Sequence, residues 1–177
     1  IEDGLVRNAT PERIGRVLAP KITGALNLHE LTLSMEIDLF VLYSSVTTLF
    51  GNPGQSSYVA ANLWLEALAS YRRKHGLPVT CVRWGAIGDV GYLARNEKIK
   101  EALQSRMGGA MLSSVNALGI MEQMILSNSD TLGVMELDWP TLGRFLPTAQ
   151  SAKFREVALQ NQDSDQGNES MADIQRL

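Results

Sequence analysis

Cysteine is almost missing from this chain: Cys81 is the only one among 177 residues. No intrachain disulfide can form, and inside the apolar stretch PVTCVRW the thiol reads as a reduced core residue. Histidine is scarce too. His29 and His75 are far apart in the sequence, and no cluster of metal-ligating residue types surrounds either. Long hydrophobic runs are lacking: none approaches the roughly 20 residues of a membrane-spanning helix, and no signal peptide is visible, so the expected setting is cytoplasmic. Dense positive charge is lacking as well. Sixteen Lys and Arg stand against nineteen Asp and Glu, a net charge of −3. The one basic run, Arg72-Arg73-Lys74-His75, falls at a helix end, where cations suit the dipole. That distribution argues against nucleic acid as a partner. Finally, no G-x-G-x-x-G follows a strand; Gly108-Gly109 has neither the spacing nor the context.

What remains is ordinary globular material, 45% apolar and 20% charged, of single-domain length and able to bury a core. The chain is organised around Leu39 to Ala69. Leu39-Phe40-Val41-Leu42-Tyr43 is an unbroken apolar run of strand length, which predicts a parallel strand covered on both faces. Polarity flips at its C-terminal end to Ser44-Ser45, the end where open parallel α/β sheets bind ligands. Gly51-Asn52-Pro53-Gly54 breaks the chain. A helix from about Gln55 then carries Tyr58 and Asn62 on one face, one turn apart.

Taken in order, the chain begins with IEDGLVRNAT, which has the look of a piece of something longer. Thr10-Pro11-Glu12 is a helix start, with Thr as N-cap and Pro at the first helical position. Pro20 either kinks that helix or separates it from the next, which carries Lys21 to about Leu33. The long helix ends at Lys74-His75-Gly76, with Gly76 as C-cap. A second buried strand, Val79 to Trp84, delivers the glycine-rich loop Gly85 to Gly91. A helix is expected over Asn96 to Met107. Another, Val115 to Leu126, is capped by Ser113 or Ser114. A third strand runs from Leu132 to Leu137, and Asp138 caps a short final helix. A folded region is expected over 1–158, which the resemblance described next implies to be a catalytic half, with a polar linker over 159–170 and the start of a further element over 171–177.

The segments PKITGALNLHELT, DLFVLYSSVTTLFGNPGQSSYVAANLWLEALASYRRKHGLPVTCVRWGAIGDVG and GVMELDW resemble the C-terminal, catalytic half of a ketoreductase domain from a modular type I polyketide synthase. That family belongs to the short-chain dehydrogenase/reductase superfamily. The resemblance implies the C-terminal part of a doubly wound, parallel-sheet, Rossmann-like α/β domain. Lys21, Ser45, Tyr58 and Asn62 fall where the family's catalytic residues stand. It further implies that Lys21 and Tyr58 bind NADPH, that Gly85-Ala86-Ile87 pass under the nicotinamide, and that a mobile lid starts beyond them. The implied substrate is a β-ketoacyl chain on the phosphopantetheine arm of an acyl carrier protein. In such synthases a carrier domain commonly follows this position.

The chemistry open to these residue types is carbonyl reduction, with the hydride drawn from a nicotinamide because no side chain can supply it. Tyr58 is the candidate acid for the growing oxyanion, and Ser45 the hydrogen-bond donor that holds it. A free tyrosine has a pKa of about 10; a nearby ammonium favours the phenolate, which gives Lys21 its part. By the resemblance, Asn62 supports the proton relay. The family's cofactor-binding half is expected to precede Ile1, so these residues alone are expected to be inactive and the Leu39 strand to have a bare edge. Two other readings are a non-catalytic structural or docking half and a stand-alone dehydrogenase acting on a free small ketone or alcohol. The first lacks catalytic residues in the family. Against the second, Lys21 precedes Tyr58 by 37 positions, whereas stand-alone members place the lysine four after the tyrosine, where Asn62 stands.

Overall fold

The computed structural model describes residues 2–107, 111–129, 131–154 and 156. The linker expected over 159–170 and the element expected over 171–177 lie outside the described residues. The chain divides into two compact units, Ile1–Glu97 with Met111–Glu136, and Lys98–Ala110 with Leu137–Leu177.

In the first unit Thr10 caps α1 (Pro11–Leu18), its hydroxyl accepting from the Arg13 amide. Pro20 separates α1 from α2 (Ile22–Thr32), and Lys21 occupies the N-cap position of α2 rather than its interior. Strand β1 spans Val41–Ser45, two residues beyond the apolar run. The shift follows the pairing: the parallel register with β2 (Thr80–Trp84) opens at Val41↔Thr80 and closes at Ser45↔Trp84. Both serines therefore belong to the strand. A one-turn helix, α3 (Thr47–Phe50), precedes the Gly51–Gly54 turn and was not anticipated from the sequence.

Helix α4 (Ser56–Lys74) returns the chain to β2. It ends in a Schellman motif at Gly76, φ 68°: the Gly76 amide donates to the Arg73 carbonyl and the Leu77 amide to that of Arg72. Next come α5 (Gly91–Ala94), α6 (Glu97–Met107) and α7 (Ser114–Leu126). Ser113 caps α7, its hydroxyl accepting from the Asn116 amide at 3.1 Å. β3 is confined to Leu132–Val134, shorter than the run to Leu137 expected.

The three parallel strands are ordered β1-β2-β3, and apolar residues cover both faces of the sheet. Leu42 and Cys81, partners in register, pack with Leu65, Leu68 and Ala69 of α4. Val82, Trp84 and Val134 pack with Ala117 and Met124 of α7. Full burial of a Leu or Val side chain contributes about 1.5–3 kcal/mol, so these layers fix the sheet between its helices. β1 departs from the expected two-sided cover. Tyr43 is 48% exposed, as is Leu39 just before the strand at 56%, and among the described residues β1 pairs on one side only. Arg72 departs too: it is 1% exposed. Its guanidinium lies 3.7 Å from the Phe40 ring centroid and donates to the Pro78 carbonyl and His29 Nδ1, so it ties α2, α4 and β2 together instead of facing water.

The second unit includes α8 (Trp139–Phe145) and two following 3₁₀ turns. Asp138 sits at the N-cap of α8 but accepts from the Thr141 hydroxyl rather than from a backbone amide. The Trp139 and Phe154 rings lie 6.0 Å apart.

Candidate active site

Lys21 is delivered by the break between α1 and α2. Its ammonium donates to the Tyr43 carbonyl of β1 at 2.7 Å and lies 5.7 Å from the centroid of the Tyr58 ring. Burial pushes its pKa below the ordinary lysine value, with the neighbouring Cys81 a smaller, opposing influence. One of its three donors is committed to Tyr43, and two remain for a ligand.

Tyr58 and Asn62 share a face of α4. The Asn62 amide donates to the Tyr58 carbonyl one turn back, at 2.8 Å. Asn62 is completely buried, and its Oδ1 has no hydrogen-bond partner. An orphaned acceptor at such depth is uncommon in folded proteins and costs free energy unless water or a ligand meets it.

Ser45 closes β1 and is buried. Its Oγ accepts from the Thr47 amide at 3.3 Å and from the Thr47 hydroxyl at 3.0 Å. Both lone pairs are thereby used, which leaves the Ser45 O–H to donate elsewhere. The structure thus brings Lys21, Tyr58 and Asn62 together, while no hydrogen bond joins Ser45 to Tyr58 among the described residues.

Gly85, Ala86 and Ile87 leave the C-terminal end of β2. The Gly85 amide extends the sheet to the Val134 carbonyl at 2.8 Å. Ile87 forms a parallel bridge with Leu112, made by the Ala86 carbonyl and the Gly88 amide on either side of it. In that pattern the amide and carbonyl of Ile87 itself face away from Leu112. A donor and an acceptor so placed fit a carboxamide, and the free donors of Lys21 fit a ribose diol. The residues present therefore suit the nicotinamide end of a dinucleotide. Nothing in the 177 residues supplies a glycine-rich pyrophosphate loop.

One polar cluster escaped the sequence reading. Glu66, one turn beyond Asn62, pairs with Arg83 of β2 at 2.7 Å and accepts from the Ser44 hydroxyl at 2.7 Å. The four-residue spacing of Tyr58, Asn62 and Glu66, together with an arginine inside an apolar strand, was the available signal.

A family model described as KR domain matches residues 1–89. Polyketide synthase GfsB of Streptomyces halstedii is 39% identical over 145 residues, 81% of this chain and 3% of that protein. The phthioceranic/hydroxyphthioceranic acid synthase of Mycobacterium tuberculosis H37Rv is 48% identical over 93 residues, 52% of this chain and 4% of that protein. Among solved structures, an A-type ketoreductase from a modular polyketide synthase superposes with a TM-score of 0.76 at 34% identity, covering 85% of this chain and 32% of that one. The first ketoreductase of the tylosin synthase gives 0.72 at 32% identity, covering 88% and 36%. The chain thus spans about a third of these ketoreductase structures and a few per cent of the synthases.

Proposed function

The chain belongs to the KR domain family, and from that premise we propose that it carries the proton-handling half of a ketoreductase acting in polyketide biosynthesis. The substrate is the β-keto group of an acyl chain held on the phosphopantetheine arm of an acyl carrier protein, and the product is the β-hydroxyacyl chain. The supporting observation is the Lys21 ammonium 5.7 Å from the Tyr58 ring, held on a carbonyl of the strand that ends in Ser45.

Lys21, Ser45, Tyr58 and Asn62 take the catalytic roles in this reading. Lys21, Tyr58, Gly85, Ala86 and Ile87 line the cofactor. Members of this family are nicotinamide-dependent reductases, and we assign NADPH as the form used here. When bound, the nicotinamide supplies the hydride that reaches the carbonyl carbon. Ser45 donates its hydroxyl proton as a hydrogen bond to the carbonyl oxygen, whose charge grows as the C=O π bond opens. Tyr58 transfers its phenolic proton to that oxygen. Lys21 stabilises the phenolate left behind, and Asn62 Oδ1 offers the acceptor through which a proton chain continues.

The test uses a complete ketoreductase domain, with NADPH and a β-ketoacyl thioester. Tyr58→Phe is expected to lower kcat about 10²–10⁴-fold, with NADPH affinity falling far less, because the ring against the cofactor is kept and only the hydroxyl is lost. Wild-type turnover in that variant would overturn the assignment.

A further inference from the structure

Resting on that reading, we propose that Glu66 is a positioning residue for the reduction: its carboxylate fastens the β1–α3 turn that carries Ser45 to the helix that carries Tyr58 and Asn62. It thereby sets where the hydroxyl that holds the carbonyl oxygen stands relative to the phenol that protonates it.

Ser45 and Tyr58 come from different elements, and no hydrogen bond joins them directly. Something else must hold the end of β1 against α4. Ser44, next to Ser45, points to the opposite face of the strand, where its hydroxyl donates to Glu66 Oε1 at 2.7 Å. Thr48, three residues after Ser45, donates to the Ser45 carbonyl at 2.8 Å and lies against the same carboxylate. Glu66 thus holds the turn through Ser44 on one side of Ser45, while Thr48 closes it on the other.

The other carboxylate oxygen, Oε2, receives Arg83 at 2.7 Å, and Arg83 is itself braced on the Thr131 carbonyl at 3.1 Å. Glu66 is two helical turns from Tyr58 and one from Asn62, on the same side of α4. Its side chain is only 12% exposed. Burial works to raise its pKa, yet the hydrogen bonds from Arg83 and Ser44, with the Thr48 hydroxyl nearby, outweigh burial and hold it below the ordinary carboxylate value. An ionised carboxylate in that setting accepts stronger, shorter hydrogen bonds than a neutral amide and so fixes its partners more tightly. An apolar pair of equal volume would fill the space without fixing any direction, which makes orientation the distinctive contribution of the ions here.

The experiment uses the complete ketoreductase domain and four variants. Glu66→Gln keeps volume and an acceptor but removes the charge. Glu66→Leu combined with Arg83→Met replaces the ion pair by apolar volume and keeps the fold. Ser44→Ala leaves the ion pair intact. Tyr58→Phe monitors the underlying reading. Glu66→Gln and the double variant are expected to lose about 10²-fold in kcat, as for a small misplacement of reacting groups. Ser44→Ala is expected to lose roughly tenfold, the equivalent of one hydrogen bond. KM for NADPH and its affinity measured by fluorescence should stay near wild type in all three, and the double variant should melt as cooperatively as the wild type.

A double variant that recovers both melting and kcat would show Glu66 to be structural only and overturn the proposal. So would wild-type kcat in Ser44→Ala or in Glu66→Gln, with Tyr58→Phe inactive. Turnover by Tyr58→Phe would instead strike the underlying reading of the site.

Discussion

Burial moves the two titratable groups Lys21 and Cys81 in opposite directions for one reason: in each it disfavours the charged form. For Lys21 it lowers the ammonium pKa. For Cys81, fully buried in register with Leu42, it raises the thiol from 9.0 to about 11. A raised folded-state pKa means that the folded chain holds the proton longer than the unfolded one. The associated stability is complete below pH 9 and is lost as pH rises through about 11. Urea melts of wild type and Cys81→Ala at neutral and at alkaline pH should show the wild type losing more stability on the alkaline side. Parallel losses in the two proteins would contradict the assigned burial.

Elements place these groups through backbone contacts that tolerate little change. Gly85 joins β2 to the loop assigned to the nicotinamide, and a Cβ there would lie 2.8 Å from Met135 Cβ and 3.0 Å from both Met135 Cα and the Val134 carbonyl. Two of those three atoms are backbone, so the sheet edge itself would have to move. Gly85→Ala is expected to cost about 1–3 kcal/mol, read as a melting temperature lowered by several degrees, with reduced cofactor affinity. An unchanged melt would show that the β2–β3 edge is softer than its geometry implies. At the far end of α4, Gly76 and the buried Arg72 settle where β2 begins. The same helix thus carries the site at its first turns and orients the neighbouring strand at its last.

At the scale of the whole molecule the exposed flank of β1 matters most. Tyr43 is half exposed on β1, which among the described residues pairs on one side only, and Leu39 is half exposed just before it; Leu28, Leu31 and Met35 are more than half exposed on and just after α2. Backbone donors and apolar surface left together at a strand edge favour association or partial unfolding. A polypeptide of these 177 residues alone also lacks a helix N-terminus behind a glycine-rich loop to receive a pyrophosphate. It is therefore expected to bind NADPH weakly and not to reduce a β-ketoacyl thioester. Adding the residues that accompany this region in a complete ketoreductase domain should restore both binding and a cooperative melt. Calorimetric titration of NADPH into each protein checks this, and tight binding by the shorter one would show that the cofactor sits elsewhere.

The sequence by itself determined the order of the longer helices and the strands, though not the one-turn helices α3 and α5, because that order is carried by local chemistry. Apolar runs end at Ser44-Ser45 and at Gly85, Thr10 and Ser113 carry capping hydroxyls, and Gly76 supplies the left-handed residue that closes α4. It also determined which side chains were candidates for the site, through the resemblance that sets Lys21, Ser45, Tyr58 and Asn62 where the ketoreductase family's catalytic residues stand. Only the tertiary structure decided what depends on residues distant in the chain. Pairing with Thr80–Trp84 moved β1 onto the serines. Phe40, His29 and Pro78 together turned Arg72 from a helix-end cation into a buried tie. The meeting of Glu66 with Ser44 and Arg83 spans 22 and 17 residues of sequence. No local pattern encodes such contacts, because their energy arises only when strand and helix are packed and water has been excluded from between them.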